Sequence, residues 1–273
     1  MPISAASRLA LSLMLTAIIV LAGCDRDSED ALEYKLTFVD EFEGQAGESM
    51  DTTVWNYDVG TNWGNNQLEY DTDRTVNVYK DGAGNLAITA REESYLSRDY
   101  TSGRITTMDN FDQAYGRFEA RIKLPVGQGI WPAFWLLGND FQDIGWPYCG
   151  EIDILEYRGQ EPDVLLAALH GPGYSGGSAI SRRNDLDGLE LYRDFHIFGI
   201  DWDPNRISWM LDGETYHTVT PKDLPTGTEW VFDHPFFIIL NVAVGGNFVG
   251  PPDETTEFPQ TMLVDWVRVY TLE

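Results

Sequence analysis

Within Glu151-Ile152-Asp153-Ile154-Leu155-Glu156, three carboxylates interrupt an otherwise apolar run. A strand turns residues i and i+2 to one face, so Glu151 and Asp153 point the same way. Strict alternation would send Glu156 to the other face. One extra residue between Asp153 and Glu156 repairs this, and a β-bulge is the device that absorbs one. The spacing therefore predicts a bulge at Ile154-Leu155, with all three carboxylates on one side. On a strand with apolar flanks, burial and mutual repulsion make such a group costly unless it serves chemistry. The plain alternative is a solvated acidic strand face.

The chemistry that uses two carboxylates on one face is glycoside hydrolysis. One attacks the anomeric carbon and the other protonates the leaving oxygen, and retaining enzymes hold them roughly 5–5.5 Å apart. On a straight strand, Cα atoms five residues apart would lie about 16 Å apart, at roughly 3.3 Å per residue. A bulge, sheet curvature and convergent side chains must close that gap.

The neighbouring residues bear on this reading. Trp131-Pro132-Ala133-Phe134-Trp135 and Trp146-Pro147 lie just before the acidic strand. Indoles stack on the apolar C–H faces of sugar rings, but sandwich cores also use tryptophan. Arg104, in Thr101-Ser102-Gly103-Arg104, offers forked donors to hydroxyls or joins a surface ion pair. His170 follows the run Val164–Leu169 and could donate to a sugar or be structural. Asn65, in the polar turn Trp63-Gly64-Asn65-Asn66, is equally open.

The elements that must position these groups are short strands. Gly116, Phe118, Ala120, Ile122 and Leu124 alternate with polar partners, a period of two. Ile207-Trp209-Leu211 leads into Asp212-Gly213, a type I′ hairpin signal, and then Thr215–Val219. Phe236–Leu240 reads as a buried strand and Met262–Tyr270 as a closing one. No repeat, Pro/Ser-rich linker or long amphipathic helix interrupts the chain after about Lys35. The expected fold is all-β, a jelly-roll sandwich of two curved antiparallel sheets with a concave cleft.

The formal net charge is −26. That argues against nucleic acid, anionic lipid and sulfated polysaccharide as partners, and tolerates a neutral glycan. Solubility alone would also account for it.

At the N-terminus, Arg8 precedes an apolar run from Leu9 to Leu21. The run is too short to span a bilayer comfortably. Leu21-Ala22-Gly23-Cys24 then reads as a bacterial lipoprotein signal, with residues 1–23 removed and Cys24 acylated. An ordinary secretory signal is the alternative. Residues 24–34 would be a polar tether and 35–273 the catalytic domain, so the membrane partner is reached by lipid anchor only. The expected location is the bacterial cell envelope. Only Cys149 is left in the mature domain, so no intrachain disulfide is expected.

The sequence resembles glycoside hydrolase family 16, in its bacterial laminarinase-like branch. The resemblance runs from Phe38-Val39-Asp40-Glu41-Phe42 to Asp265-Trp266-Val267-Arg268-Val269-Tyr270. Between these it is carried by Trp63–Tyr70, Tyr100–Arg104, Tyr115–Arg121, Gly129–Trp135, Gly150–Glu156 and Leu240–Gly246. It implies a retaining endo-glucanase acting on β-1,3-glucan, with mixed β-1,3/1,4-glucan left open as a further substrate. It also implies Glu151 as nucleophile, Glu156 as acid/base and Asp153 as the assisting carboxylate. Asn65, Arg104, Trp131, Trp135 and His170 match substrate-binding positions. Glu41, the Gly84 carbonyl and Asp265 match a structural Ca²⁺ site, whose oxygen ligands suit that ion. No cofactor is implied for catalysis, and a monomer is expected. Lichenase-like members lack the extra residue of the acidic motif.

Two other readings stand beside this one. A non-catalytic β-glucan-binding lipoprotein could use the same fold, although such relatives typically lose one of the acidic residues. A hydrolase or transglycosylase of another neutral polysaccharide is the second.

Overall fold

The computed structural model describes residues 34–272. The expected leader (1–23), Cys24 and all of the tether except Tyr34 lie outside the described residues.

Two sheets face each other. The first runs, in spatial order, Glu214–Val219, Arg206–Leu211, His196–Asp203, Gly116–Lys123, Gln260–Leu272, Leu86–Tyr95, Arg98–Ser102 and Glu69–Asp71. Tyr34–Asp40 also pairs with Gln260–Leu272, and Val78–Lys80 with Leu86–Tyr95. The second runs Ile180–Asp185, Val164–His170, Glu151–Glu156, Ile130–Gly138, Phe236–Val244, Arg104–Thr106 and Asn56–Tyr57, with Asp112–Gln113 also on Phe236–Val244. Pairing is antiparallel throughout the described residues, except between Glu69–Asp71 and Arg98–Ser102. This is the expected jelly-roll sandwich. Phe141–Ile144 is the one α-helix among the described residues.

The strand signals in the sequence have visible causes. Gly116–Lys123 alternates buried and half-buried residues along its length, so its apolar set packs inward. Asp212 and Gly213 both have positive φ, 51° and 83°, as a type I′ turn requires. Phe236–Val244 is buried along its whole length. Strands flank it on both sides, the core covers one face, and residues of the candidate site cover much of the other.

The core fills the space between the sheets with Trp55, Trp202, Trp209, Phe118, Phe134 and Phe236, among others. Burying a Phe-sized side chain contributes about 1.5–3 kcal/mol. A buried indole N–H needs an acceptor. Trp55 Nε1 donates to Asp40 Oδ2 at 2.8 Å, Trp202 Nε1 to the Phe232 carbonyl at 3.2 Å, and Trp209 Nε1 to the Asp153 carbonyl at 2.8 Å.

Candidate active site

The acidic strand carries the expected bulge. Against Ile130–Gly138, Glu156 pairs with Ala133, Leu155 with Phe134 and Asp153 with Trp135, leaving Ile154 without a partner. Against Val164–His170, Asp153 pairs with Ala168 and Glu156 with Leu166, so three steps on one strand match two on the other. Ile152, Ile154 and Leu155 all lie in the core between the sheets. The apolar pair Ile154-Leu155 thus turns inward together, and Glu156 returns to the face of Glu151 and Asp153. Gly150 sets the start of this strand: its φ is 73°, and a Cβ there would stand 2.8 Å from Phe236 Cζ. Only glycine meets both conditions comfortably.

Register then lays the open face out in rows. Glu151 lies between Leu137 and His170, and Asp153 between Trp135 and Ala168. Glu156 lies beside Ala133, which neighbours Asn241, which neighbours Arg104. Small residues stand next to two of the three acids, Ala133 beside Glu156 and Ala168 beside Asp153, leaving room above the sheet.

His170 joins the acids. Its Nε2 is 3.0 Å from Asp153 Oδ2 and 3.5 Å from Glu151 Oε1. Its Nδ1 accepts the Gly176 backbone N–H at 3.0 Å. A ring nitrogen that accepts carries no proton, so in the neutral ring Nε2 holds the proton and turns it toward the carboxylates. The approach to Asp153 is out of line for a hydrogen bond, and Oδ2 stays buried without a partner. Glu151, Asp153 and His170 offer ligand atoms within 4.8 Å of one another. A metal would need the Nε2 lone pair, however, and the Gly176 contact assigns the proton there. The set is suited to holding protons and charge.

Burial, and then the charge of Asp153, push Glu151 and Glu156 up to about 8; burial pushes Asp153 up to about 8 as well. The His170 ring opposes the rise at both glutamates. Trp146 does the same at Glu151, and Trp131 and Arg158 at Glu156. Carboxylates this close titrate as one set, and some of them hold protons near neutrality.

Further along the face, Arg104 is clamped. Its guanidinium lies 4.9 Å from the ring centres of both Trp63 and Trp135, and its Nε donates to Asp58 Oδ2 at 2.8 Å. Trp135 Nε1 donates to Asn241 Oδ1 at 2.8 Å. Trp131 packs on Phe248 at 4.7 Å, in a small cluster apart from the main core, and its buried Nε1 acts on the Glu156 carboxyl without a well-aligned hydrogen bond. Trp146 stands 6.0 Å from the His170 ring.

The remaining candidates make no direct contact with the acids. Asn65 is exposed on a loop whose backbone is tied to another loop: its carbonyl accepts the Asn247 N–H at 2.7 Å. Close approach explains Gly246, where a Cβ would stand 2.6 Å from that same carbonyl. Glu41, Gly84 and Asp265 are brought to one place by register. Asp40 pairs with Val267 and Leu86 with Val264, so Glu41 and Gly84 run toward the irregularity at Asp265 from opposite ends. Glu41 Oε1 accepts from Arg268 Nη2 at 2.8 Å, and Asp265 Oδ2 accepts from Arg121 Nη1 at 2.6 Å. Cys149 is buried and free, and burial pushes its thiol up to about 12, which suits packing rather than nucleophilic attack.

Sequence reasoning missed Asp58, Asn241 and the contact role of Trp63. Asn241 had a signal, a lone amide inside the apolar run Phe236–Val244. Asp58 had none, because it meets Arg104 across 46 positions of chain.

An antiparallel sandwich whose open face sets two glutamates and an aspartate in one row-aligned group, flanked by tryptophans, defines a glycoside hydrolase. Residues 41–268 match the family model described as Glycosyl hydrolases family 16. The Beta-glucanase of Rhodothermus marinus is 40% identical over 266 residues, covering 92% of this chain and 91% of that protein. The Glucan endo-1,3-beta-glucosidase of Cryptopygus antarcticus is 38% identical, covering 86% of this chain and 92% of its own length. Among solved structures, the catalytic domain of an endo-1,3-beta-glucanase (laminarinase) from Thermotoga petrophila RKU-1 superposes with a TM-score of 0.84. It is 45% identical and covers 89% of this chain and 100% of that one. The chain belongs to glycosyl hydrolases family 16.

Proposed function

We propose that this chain is a retaining endo-β-1,3-glucanase that cuts laminarin-type glucan and accepts mixed β-1,3/1,4-glucan as a second substrate. Glu151 attacks the anomeric carbon while Glu156 protonates the glycosidic oxygen. A covalent glycosyl-enzyme forms, and Glu156, now a base, takes a proton from water as it releases the sugar. Asp153, between them, and the Nε2–H edge of His170 govern how the set shares its protons. Trp131, Trp135, Arg104 and Asn65 bind the sugar chain. Trp131 Nε1, buried beside the Glu156 carboxyl, also opposes the rise of that acid.

The observation that carries this reading is the bulged register that returns Glu156 to the face of Glu151 and Asp153. Its test is a product profile on laminarin, lichenan and curdlan, with the anomeric configuration of the first-formed product followed by NMR. Short oligosaccharides of retained configuration are expected. Binding without new reducing ends would mean a recognition protein, and inverted products would refute the covalent route.

Two further parts belong to the proposal. Glu41, the Gly84 carbonyl and Asp265 would hold a Ca²⁺ that braces the fold and takes no part in the chemistry. The converging register supports this. A ligand that binds only the folded state raises its stability by mass action. Chelation of metal-loaded protein should therefore lower the melting temperature, and an unchanged value would count against the site. The mature chain would begin at acylated Cys24 and sit in the cell envelope, tethered by residues 24–34. Mass spectrometry of the membrane fraction tests that; an unmodified, freely secreted chain would refute it.

A further inference from the structure

The bulge that aligns the carboxylates leaves one backbone group in an unusual place. In a regular strand, carbonyls lie in the plane of the sheet and point at neighbouring strands. The carbonyl of Asp153 instead accepts a hydrogen bond from the facing sheet: Trp209 Nε1 donates to it at 2.8 Å. It sits where the register shifts, next to the unpaired Ile154. Trp209 belongs to Arg206–Leu211, on the far side of the core, and its side chain is fully buried.

We propose that Trp209 is a positioning residue for the reaction: its indole N–H, reaching across the sandwich, holds the bulge in the register that puts Glu156 on the face of Glu151 and Asp153.

The surroundings of Trp209 fit that task. Its own strand is irregular at this point: Trp209 pairs with His217 and Met210 with Thr215, so the neighbouring strand carries an extra residue, Tyr216. An irregularity in one sheet thus meets an irregularity in the other. The His217 ring lies 5.2 Å from the indole at 31°, which limits its tilt. The alternative register for the acidic strand is simple alternation. It would turn Glu156 toward the core and an apolar residue toward the open face. A buried carbonyl with no donor is costly, so losing the indole N–H removes a specific advantage of the bulged register.

The proposal rests on the hydrolase reading, and its test separates the two. Trp209→Phe keeps an aromatic ring in the slot and removes the N–H. The expected result on laminarin is a fall in kcat of about ten- to a hundredfold, the scale of a misplacement of about 1 Å. KM should stay within about twofold of wild type, because the binding residues are untouched. The alkaline limb of the pH–rate profile should also move to lower pH, since a Glu156 displaced from Asp153 gives up its proton more readily. A merely structural tryptophan would lower the melting temperature and leave the pH profile of the remaining folded enzyme in place. Unchanged kcat and pH profile in folded Trp209→Phe would overturn the proposal. If that variant does not fold, benzothienylalanine at position 209 decides: it has the shape of tryptophan with sulfur in place of N–H, and the same two outcomes apply. A wild-type chain inactive on every glucan would instead defeat the hydrolase reading.

Discussion

His170 sets Nε2 at 3.0 Å from Asp153 Oδ2 while its Nδ1 accepts the Gly176 N–H, so a single backbone contact fixes which edge of the ring faces the acids. The ring opposes the effect of burial on Glu151. His170→Phe keeps a ring and removes both nitrogens. Without them Glu151 should hold its proton to higher pH, and the acid limb of the kcat/KM profile should move up. A fall in kcat/KM of about tenfold near neutrality is expected, the low end of what a positioned proton-handling group supplies. A profile identical to wild type would show that the histidine only fills space.

Arg104 makes a different kind of prediction, because its neighbours hold it in place. The Trp63 and Trp135 rings flank its guanidinium, and Asp58 takes its Nε. Asp58→Ala frees one edge of the fork without touching the carboxylates. If Arg104 binds sugar equally in ground and transition states, KM should rise about fivefold with kcat within about twofold. An equal loss in kcat would place Arg104 closer to the reacting centre.

The acidic strand was legible in the sequence because a bulge is a matter of counting. Two carboxylates at i and i+2, followed by a third three residues on, cannot share a face without one residue turning out of the ladder. The strands at Gly116–Lys123 and Arg206–Leu211 were legible for the same reason, a period of two ending in turn residues. The clamp on Arg104 was not. Asp58, Trp63 and Trp135 meet it through loops and pairing between distant strands, and no local spacing encodes that meeting. Trp209 shows the limit most clearly. Its place in an alternating strand predicts burial, but the acceptor for its N–H exists only once the other sheet is bulged.

The three acids also make stability depend on pH. An Asp153 carboxyl ordinarily titrates at 3.8 and here is pushed up to about 8 by burial. Between those values the unfolded chain has released a proton that the folded chain still holds. Folding therefore loses stability as pH rises through that window, and the loss is complete above it. Asp153→Asn cannot ionise, and it also relieves the repulsion that raises Glu151 and Glu156. Its melting temperature should match wild type near about pH 4 and exceed it at about pH 8.5. The gain should reach several degrees, at about 2–4 °C per kcal/mol for a chain of this size. Calorimetry across that range checks it, and a constant offset at all pH values would mean the effect is packing rather than charge.

The roles of Glu151 and Glu156 differ in what each substitution leaves possible. Glu151→Gln and Glu156→Gln should each nearly abolish laminarin hydrolysis, because an amide neither attacks nor donates a proton as the reaction needs. An activated aryl glycoside separates them, since its leaving group departs without protonation. In Glu156→Ala, Glu151 still attacks and the glycosyl-enzyme forms, but no base activates water. Azide can enter the vacated space and attack the intermediate, so two displacements give a glycosyl azide of retained configuration. In Glu151→Ala no intermediate forms, and azide takes the place of the missing carboxylate and attacks directly. One displacement gives the inverted azide. NMR of the anomeric centre distinguishes the products. The opposite pattern would exchange the two roles, and full activity in both variants would remove the acidic strand from the chemistry altogether.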